Sequence, residues 1–332
     1  MSEQEPDIAV IGAGVAGLCV AAELVLCGRN VRIYDRGGGP GAQGCSWWAG
    51  GMLAPDCEGE AAEEPVSRLG REAARWWAQF TDVVHNGSLV VALSRDKAEL
   101  ARFARRTTGH RALDADGLAA LEPDLAGRAP EALFFADEAH LNPRAALADL
   151  EKWLADHGSP VIAEDVDPAS LGAAEVIDCR GLAARADLPG LRGVRGEMVI
   201  LRSGDVSLSR PVRLLHPRYP IYMVPRGDGV FMLGATQIES SNRGPASVRS
   251  TLELLSAAYA LHPAFAEAEV LEIGADARPA FPDNLPRICR VGRVIHANGL
   301  FRHGYLLGPA LARMAADVAS MSNRKPEFYH ED

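Results

Sequence analysis

The sequence predicts an α/β chain: a parallel sheet in the doubly wound style at the front, joined to a mixed, largely antiparallel sheet behind. Three observations carry this. Near the N-terminus a strand, a glycine turn, a helix and a second strand follow one another within roughly thirty residues, the order of a parallel βαβ unit. The strands of the second half come in hairpins instead, which marks a separate, antiparallel layer. The chain has 332 residues, 48% apolar and 23% charged, enough for one large or two intimate cores.

Taken in order, Asp7 to Ile11 is a short apolar run ending at a glycine and reads as a buried strand. Val15 to Leu26 carries small and apolar residues at helical spacing, and Gly28 stops that helix from the position just past its cap. Val31 to Asp35 is the second strand. Gly37 to Gly44, GGGPGAQG, is loop, because glycine and proline at that density support neither helix nor strand. Pro65 to Asp82 predicts one helix bearing Trp76 and Trp77, Gly87 to Leu93 a strand, and Arg95 to Thr107 a charged, exposed helix. A strand and a polar loop then lead to a helix that opens with Asn142 as N-cap and Pro143 in its first turn, and ends at Gly158. Ala174 to Gly181 is a strand running into a glycine. YPIYMVPRGDGVFMLGAT is a hairpin turning at RGDG, and Ser247 to Ala260 an amphipathic helix. AEVLEIGADARPAF reads as a strand entering a loop that holds Arg278. The segment from Arg293 to Ser320 closes as strand, glycine-rich turn and helix.

Composition removes several function classes. A net charge of -10 argues against general nucleic-acid binding and against attraction to anionic membranes. Lys97, Lys152 and Lys325 are the only lysines, and none sits in a phosphate loop or a Schiff-base setting. The six cysteines show no CxxC spacing and read as free thiols of a reducing compartment. His216, His262, His296 and His303 lack metal-ligand spacing, so no metal is expected. The N-terminal segment has no basic stretch before its apolar run, and no run of about 18 apolar residues occurs, so a cytoplasmic chain without a membrane span is expected.

Chemistry concentrates in three places. IGAGVAG holds Gly12, Gly14 and Gly17 as GxGxxG, directly after a strand and opening a helix. The first glycine permits the tight turn, the second lets backbone approach a pyrophosphate, and the third lets helix and strand pack closely. Asp35 ends the next strand, where a carboxylate accepts hydrogen bonds from a ribose diol. This is a Rossmann-like dinucleotide site, and the fingerprint does not separate NAD from FAD. CSWWAGGML follows, with the Ser46 hydroxyl and the backbone amides of Gly50, Gly51 and Met52 able to run along a pyrophosphate and beneath a planar ring. No regular strand is expected after it, and Trp47 and Trp48 read as packing anchors. At the C-terminus GLFRHGYLLGPALARMAADV sets Gly299, Gly304 and Gly308 around a turn ahead of a helix whose N-terminus can face an electron-rich ring. Arg302 within that turn has the fork that matches a carboxylate. Tyr222 on the hairpin and Arg278 before a proline are, from the residues alone, as readily structural as functional.

Together AVIGAGVAGLCVAAEL, CSWWAGGMLAP, FADEAHLNPRAALADL, YPIYMVPRGDGVFMLGAT, ADARPAFPDNLPRI and GLFRHGYLLGPA resemble, in this order and over nearly the full chain, the D-amino acid oxidase superfamily of FAD-dependent oxidoreductases. The resemblance is strongest to its glycine oxidase branch of thiamin biosynthesis. The resemblance implies a discontinuous FAD-binding domain over 6–84, 141–183 and 276–322, with a substrate domain over 85–140 and 184–275. It implies noncovalent FAD, since the Arg278-Pro279 segment is followed by no cysteine until Cys289. Contacts to FAD are implied for Gly12, Gly14, Val15, Ala16, Gly17, Asp35, Arg36, Cys45, Ser46, Gly50, Gly51, Met52 and Val166, and for Arg302, His303, Gly304, Tyr305, Leu306 and Leu307. It further implies that Arg302 pairs with the substrate carboxylate, that Tyr222 bonds it, and that Arg278 lies close by. Gln237 and Pro220 depart from the family's pattern and bear on pocket size. The implied reaction oxidises glycine to iminoacetate, which hydrolyses to glyoxylate and ammonia, while oxygen becomes hydrogen peroxide. Thiazole synthase is the implied consumer of the imine, and a homo-oligomer is left open. D-amino acid or sarcosine oxidation, an NAD-dependent dehydrogenase and a nucleotide-binding sensor without turnover are the alternatives.

Overall fold

A computed structural model describes residues 8–173, 175–320 and 325–331. Asp7 and Ala174, at the starts of two expected strands, lie outside these residues, as do the ends at 6 and 322 of the implied FAD-binding segments. Among the described residues one sheet has seven strands, in the order Tyr329–His330, Arg287–Val291, Val294–Asn298, Glu175–Asp178, Ile8–Ile11, Val31–Asp35 and Val161–Ala163. Its centre is parallel: Ile8 lies level with Val31 on one side and with Glu175 on the other. Strands buried on both faces need apolar side chains throughout, and Ile8 to Ile11 supply them. The helices Val15–Leu26, Pro143–Asp156 and Gly304–Ala319 share one core with this sheet through Leu18, Leu24, Leu147, Leu150, Leu307 and Leu311.

The second sheet is mixed, with nine strands among the described residues. Its centre is the expected hairpin, Ile221–Pro225 with Val230–Gly234, which pairs Tyr222 with Gly234 and Met223 with Leu233. Strand alternation divides these residues between two faces. Met223 and Leu233 pack with Leu254 and Leu261 of the helix Val248–Leu261. Val224 and Met232 turn the other way, toward Trp48, Met52 and Tyr222. That second face is the one that meets the glycine-rich loops of the first half.

Three local expectations change. The helix expected over 65–82 is two, Glu64–Gly70 and Ala73–Trp77. Gly70 sits where an added Cβ would lie 2.7 Å from Leu306 Cγ, so the chain crosses close to the last helix and turns before continuing. Arg278 lies on a strand, not in a loop: Glu269–Ala280 pairs antiparallel with Arg192–Arg202, with Arg278 opposite Val194. The implied domain boundary at 275/276 therefore falls inside one strand. Met52–Leu53, where no strand was expected, pairs with Ala139–His140.

His140 on that short strand is buried, and burial, with Arg226 and Arg210, pulls its pKa from 6.5 to about 4. It is neutral in the fold at pH 7, whereas in the unfolded chain it takes a proton near about 6.5. The unfolded state binds more protons between those values, so stability falls as pH drops from about 6.5 to about 4. Thermal melts from pH 7 to 4.5 are expected to show a shallower pH slope for His140→Gln than for the parent; parallel slopes would refute the assignment.

Candidate active site

The fold joins the glycine fingerprint, the Cys45–Met52 segment and the C-terminal turn around one cavity of about 920 Å³. At the fingerprint end Gly12 has φ +100°, and a Cβ there would strike the Cys179 carbonyl. A Cβ on Gly17 would overlap the Gly12 carbonyl oxygen, so this glycine serves helix–turn packing and does not itself line the cavity. The Asp35 carboxylate accepts from Ala13 N at 2.8 Å and Gly37 N at 2.8 Å, and still lines the cavity with lone pairs to offer. Ser46 Oγ accepts from Val15 N at 3.0 Å and so ties the 3-10 turn Cys45–Trp48 to the first helix.

The N-terminus of the helix Gly304–Ala319 lies beside that first helix. Gly304 faces Val15, and no side chain caps the first-turn amides of Gly304, Tyr305 and Leu306, which line the cavity. Two helix N-termini with small residues between them suit an anionic, electron-rich group. These residues fit FAD: a pyrophosphate across the glycine turn, a ribose on Asp35, and a ring along Gly50–Met52. Of the remaining expected contacts, Gly14, Ala16, Arg36, Cys45, Arg302 and His303 line the cavity. Val166 packs with the Ala9 and Tyr34 cluster while its neighbours Glu164 and Asp165 line the cavity, and Leu307 is buried in the core. Burial, with Asp276 nearby, pushes the Cys45 thiol up to about 11, an unreactive neutral group.

Trp47 and Trp48 do pack the loop. Arg144 lies over both rings at 4.7 and 5.3 Å, Trp48 Nε1 donates to Ala42 O at 3.0 Å, and the Trp48 ring covers Gly274. Both rings also border the cavity.

At the other end the Tyr222 ring lies between Gly50 and Gly234, where a Cβ would meet it at 2.8 and 2.6 Å. Burial raises the phenol's pKa against the pull of Arg278, Arg213, Arg226 and Arg302, so the hydroxyl keeps its proton. Of these four guanidinium groups three are committed. Arg226 is half-buried and donates to Leu141 O and Gly50 O at 2.8 Å each, which holds the glycine loop against Tyr222; desolvation lowers its pKa to about 10. Arg302 Nη2 and Arg213 Nη2 each meet Glu58, at 2.7 Å. Arg302 thus lines the cavity already paired, and its side chain is 34% exposed. Among the described residues Arg278 has one bond, to Thr236 O at 3.3 Å, and lies across Gly196 with no carboxylate partner.

Glu58, Arg213, Thr236 and Gly196 escaped the sequence reading. Glu58 closes the one-turn helix Pro55–Glu58, and its buried carboxylate is also 3.0 Å from His303 Nε2. Burial pushes its pKa up, but Arg302 and Arg213, with His303, outweigh burial and hold it well below the usual carboxylate range. Burial lowers His303 against the pull of Glu58, which keeps the imidazole neutral. No local pattern announces these partners. The signal available was a glutamate three residues after the CSWWAGGMLAP stretch.

Among the described residues no helix is long and apolar enough to cross a membrane, and no group of His, Cys, Asp and Glu could hold a metal ion. A putative thiamine biosynthesis oxidoreductase ThiO of Rhizobium etli is 56% identical over 96% of this chain and 98% of its own length. A glycine oxidase of Pseudomonas aeruginosa is 27% identical over 98% of this chain and 96% of its own. In fold, the crystal structure of glycine oxidase from Geobacillus kaustophilus matches with a TM-score of 0.81 at 23% identity, over 97% of this chain and 96% of that one. The model described as FAD dependent oxidoreductase matches residues 7–318, from the first strand through the last long helix; the chain belongs to this family of flavin enzymes, and the NAD-dependent dehydrogenase reading is set aside.

Proposed function

We propose that this protein is a glycine oxidase that supplies the thiazole of thiamin. Two electrons and two protons leave glycine to give iminoacetate, oxygen takes them up as hydrogen peroxide, and the imine passes to thiazole synthase or hydrolyses to glyoxylate and ammonia. Bound FAD supplies the two-electron acceptor. The observation that carries this reading is Arg278: of the guanidinium groups around Tyr222 it is the one without a carboxylate or a set of carbonyl partners among the described residues. It holds the substrate carboxylate, and the protonated Tyr222 hydroxyl, which has no protein partner among the described residues, donates to the same group. Arg302 serves the site through Glu58. The name of the Pseudomonas relative, glycine oxidase, favours glycine over other small amines.

FAD is held noncovalently on this reading. Cys289, the first cysteine after Arg278-Pro279, is buried with Leu188, Leu191 and Phe281 and does not border the cavity. Acid precipitation is expected to leave a yellow supernatant. None of the six cysteines is in a disulfide among the described residues, which suits a reducing compartment, and we place the reaction in the cytoplasm.

Anaerobic glycine should bleach the flavin spectrum, and air should restore it with peroxide formed. Turnover of D-alanine or D-proline faster than glycine by orders of magnitude would move the chain to D-amino acid oxidation, and a sarcosine preference to sarcosine oxidation. Tyr222→Phe is expected to raise the glycine KM about 10-fold, the loss of one hydrogen bond to a charged group, with little change in kcat; an unchanged KM would remove Tyr222 from the carboxylate.

A further inference from the structure

We infer that Glu58 is a specificity-determining residue: by pairing with Arg302 and Arg213 it leaves Arg278 as the guanidinium beside Tyr222 without a carboxylate or a set of carbonyl partners among the described residues, and restricts the substrate to a single carboxylate. The inference rests on the amino-acid oxidase reading above. Its geometry is a wall in which Glu58 and His303 are buried and Arg213 and Arg302 are partly exposed. Glu58 Oε1 meets Arg213 and Oε2 meets Arg302 and His303, and all four residues border the same cavity as Tyr222 and Arg278. Arg213 Nε and His303 Nδ1 are buried without hydrogen-bond partners among the described residues.

Three other acids, Asp276, Glu60 and Glu138, are committed. Asp276 holds Arg243 at 2.5 Å, and Glu60 pairs with Arg106 at 3.2 Å. Glu138 lies behind Arg213, accepting from Cys57 N at 2.7 Å and from the Ser88 hydroxyl, and it does not border the cavity. Glu58 is therefore the carboxylate that sets the charge of this wall. With it, two arginines carry one net positive charge between them and offer no vacant fork. Without it, both guanidinium groups face the cavity unpaired beside Arg278. A partly buried, unpaired guanidinium attracts a carboxylate, because part of the cost of its desolvation is already incurred. A ligand with two carboxylates would then satisfy Arg278 with one and the exposed pair with the other.

The test titrates the holoenzyme with acetate and with malonate, reading ligand binding from the perturbed flavin spectrum. The parent is expected to bind acetate at least about tenfold more tightly than malonate. Glu58→Gln is expected to reverse that order, and its turnover of iminodiacetate relative to glycine should rise by a similar factor. Glu58→Asp, which keeps the charge, should keep the parent's order. Glu58→Gln combined with Arg213→Gln restores the charge balance and should return the preference to acetate. Equal binding of the two ligands by the parent overturns the inference, as does a Glu58→Gln ratio within about twofold of the parent's. If Glu58→Gln does not retain flavin, Arg302→Gln decides. Removing that cation while Glu58 stays should weaken malonate further against acetate, and an improved malonate affinity refutes the inference. The titration needs no turnover, so a protein inactive on glycine still reports the ratio. Glycine oxidation with an unaltered ratio would sink this inference and leave the proposed function standing.

Discussion

Replacing Arg278 with leucine is expected to raise the KM for glycine about 100- to 1,000-fold while flavin stays bound, the cost of leaving a carboxylate without its charged partner in an enclosed site. The direction follows from the hydrogen-bond inventory. Arg278 reaches Thr236 O at 3.3 Å and nothing acidic, whereas Arg302 is held by Glu58 at 2.7 Å. Arg302→Ala should therefore raise KM less than Arg278→Leu, and it should disturb the position of Glu58 and His303 as well. Steady-state kinetics on both variants, with the absorbance spectrum as a check on flavin content, separates the two. A larger KM effect at Arg302 than at Arg278 would show that the Glu58 pair opens when substrate arrives and that the carboxylate sits on Arg302.

Gly17→Ala should cost the protein its fold around the cofactor. A Cβ at 17 overlaps the Gly12 carbonyl oxygen, a backbone atom that cannot swing away, and the strand and helix would have to separate. Forcing a methyl group into such a contact costs about 3 kcal/mol, and the purified chain is expected to be colourless with a lowered melting temperature. Gly14→Ala makes a useful contrast. Its Cβ would lie 3.3 Å from Ser46 Oγ, a side-chain atom that can yield, and its φ is -77°. That variant should weaken cofactor binding while the apoprotein melts close to the parent's apoprotein. A yellow Gly17→Ala protein with the parent's melting temperature would contradict the packing role.

Much of the fold was legible because its signals are local. The glycine fingerprint, the alternating hairpin strands and the Asn142-Pro143 cap each encode backbone geometry within a few residues, and Asn142 Oδ1 does accept from Arg144 N at 3.1 Å. What failed were features set by partners far along the chain. Arg278 lies on a strand because Arg192–Arg202 runs beside it for twelve residues, Glu269 to Ala280. The helix expected over 65–82 divides after Gly70, where Leu306, from the other end of the chain, leaves no room for a side chain.

The site divides along the same line. CSWWAGGMLAP, the GxGxxG turn and the GLFRHGYLLGP segment could be read as walls of one cofactor cavity, because close backbone approach demands small residues at fixed spacing and the residue types are its record. Which arginine stays free could not be read. Arg213, Arg278 and Arg302 are alike in sequence, and their difference lies in Glu58, whose carboxylate reaches two of them and not the third. Charge pairing in a buried site depends on distances of a few ångströms between segments more than a hundred residues apart, and only folding brings those segments together.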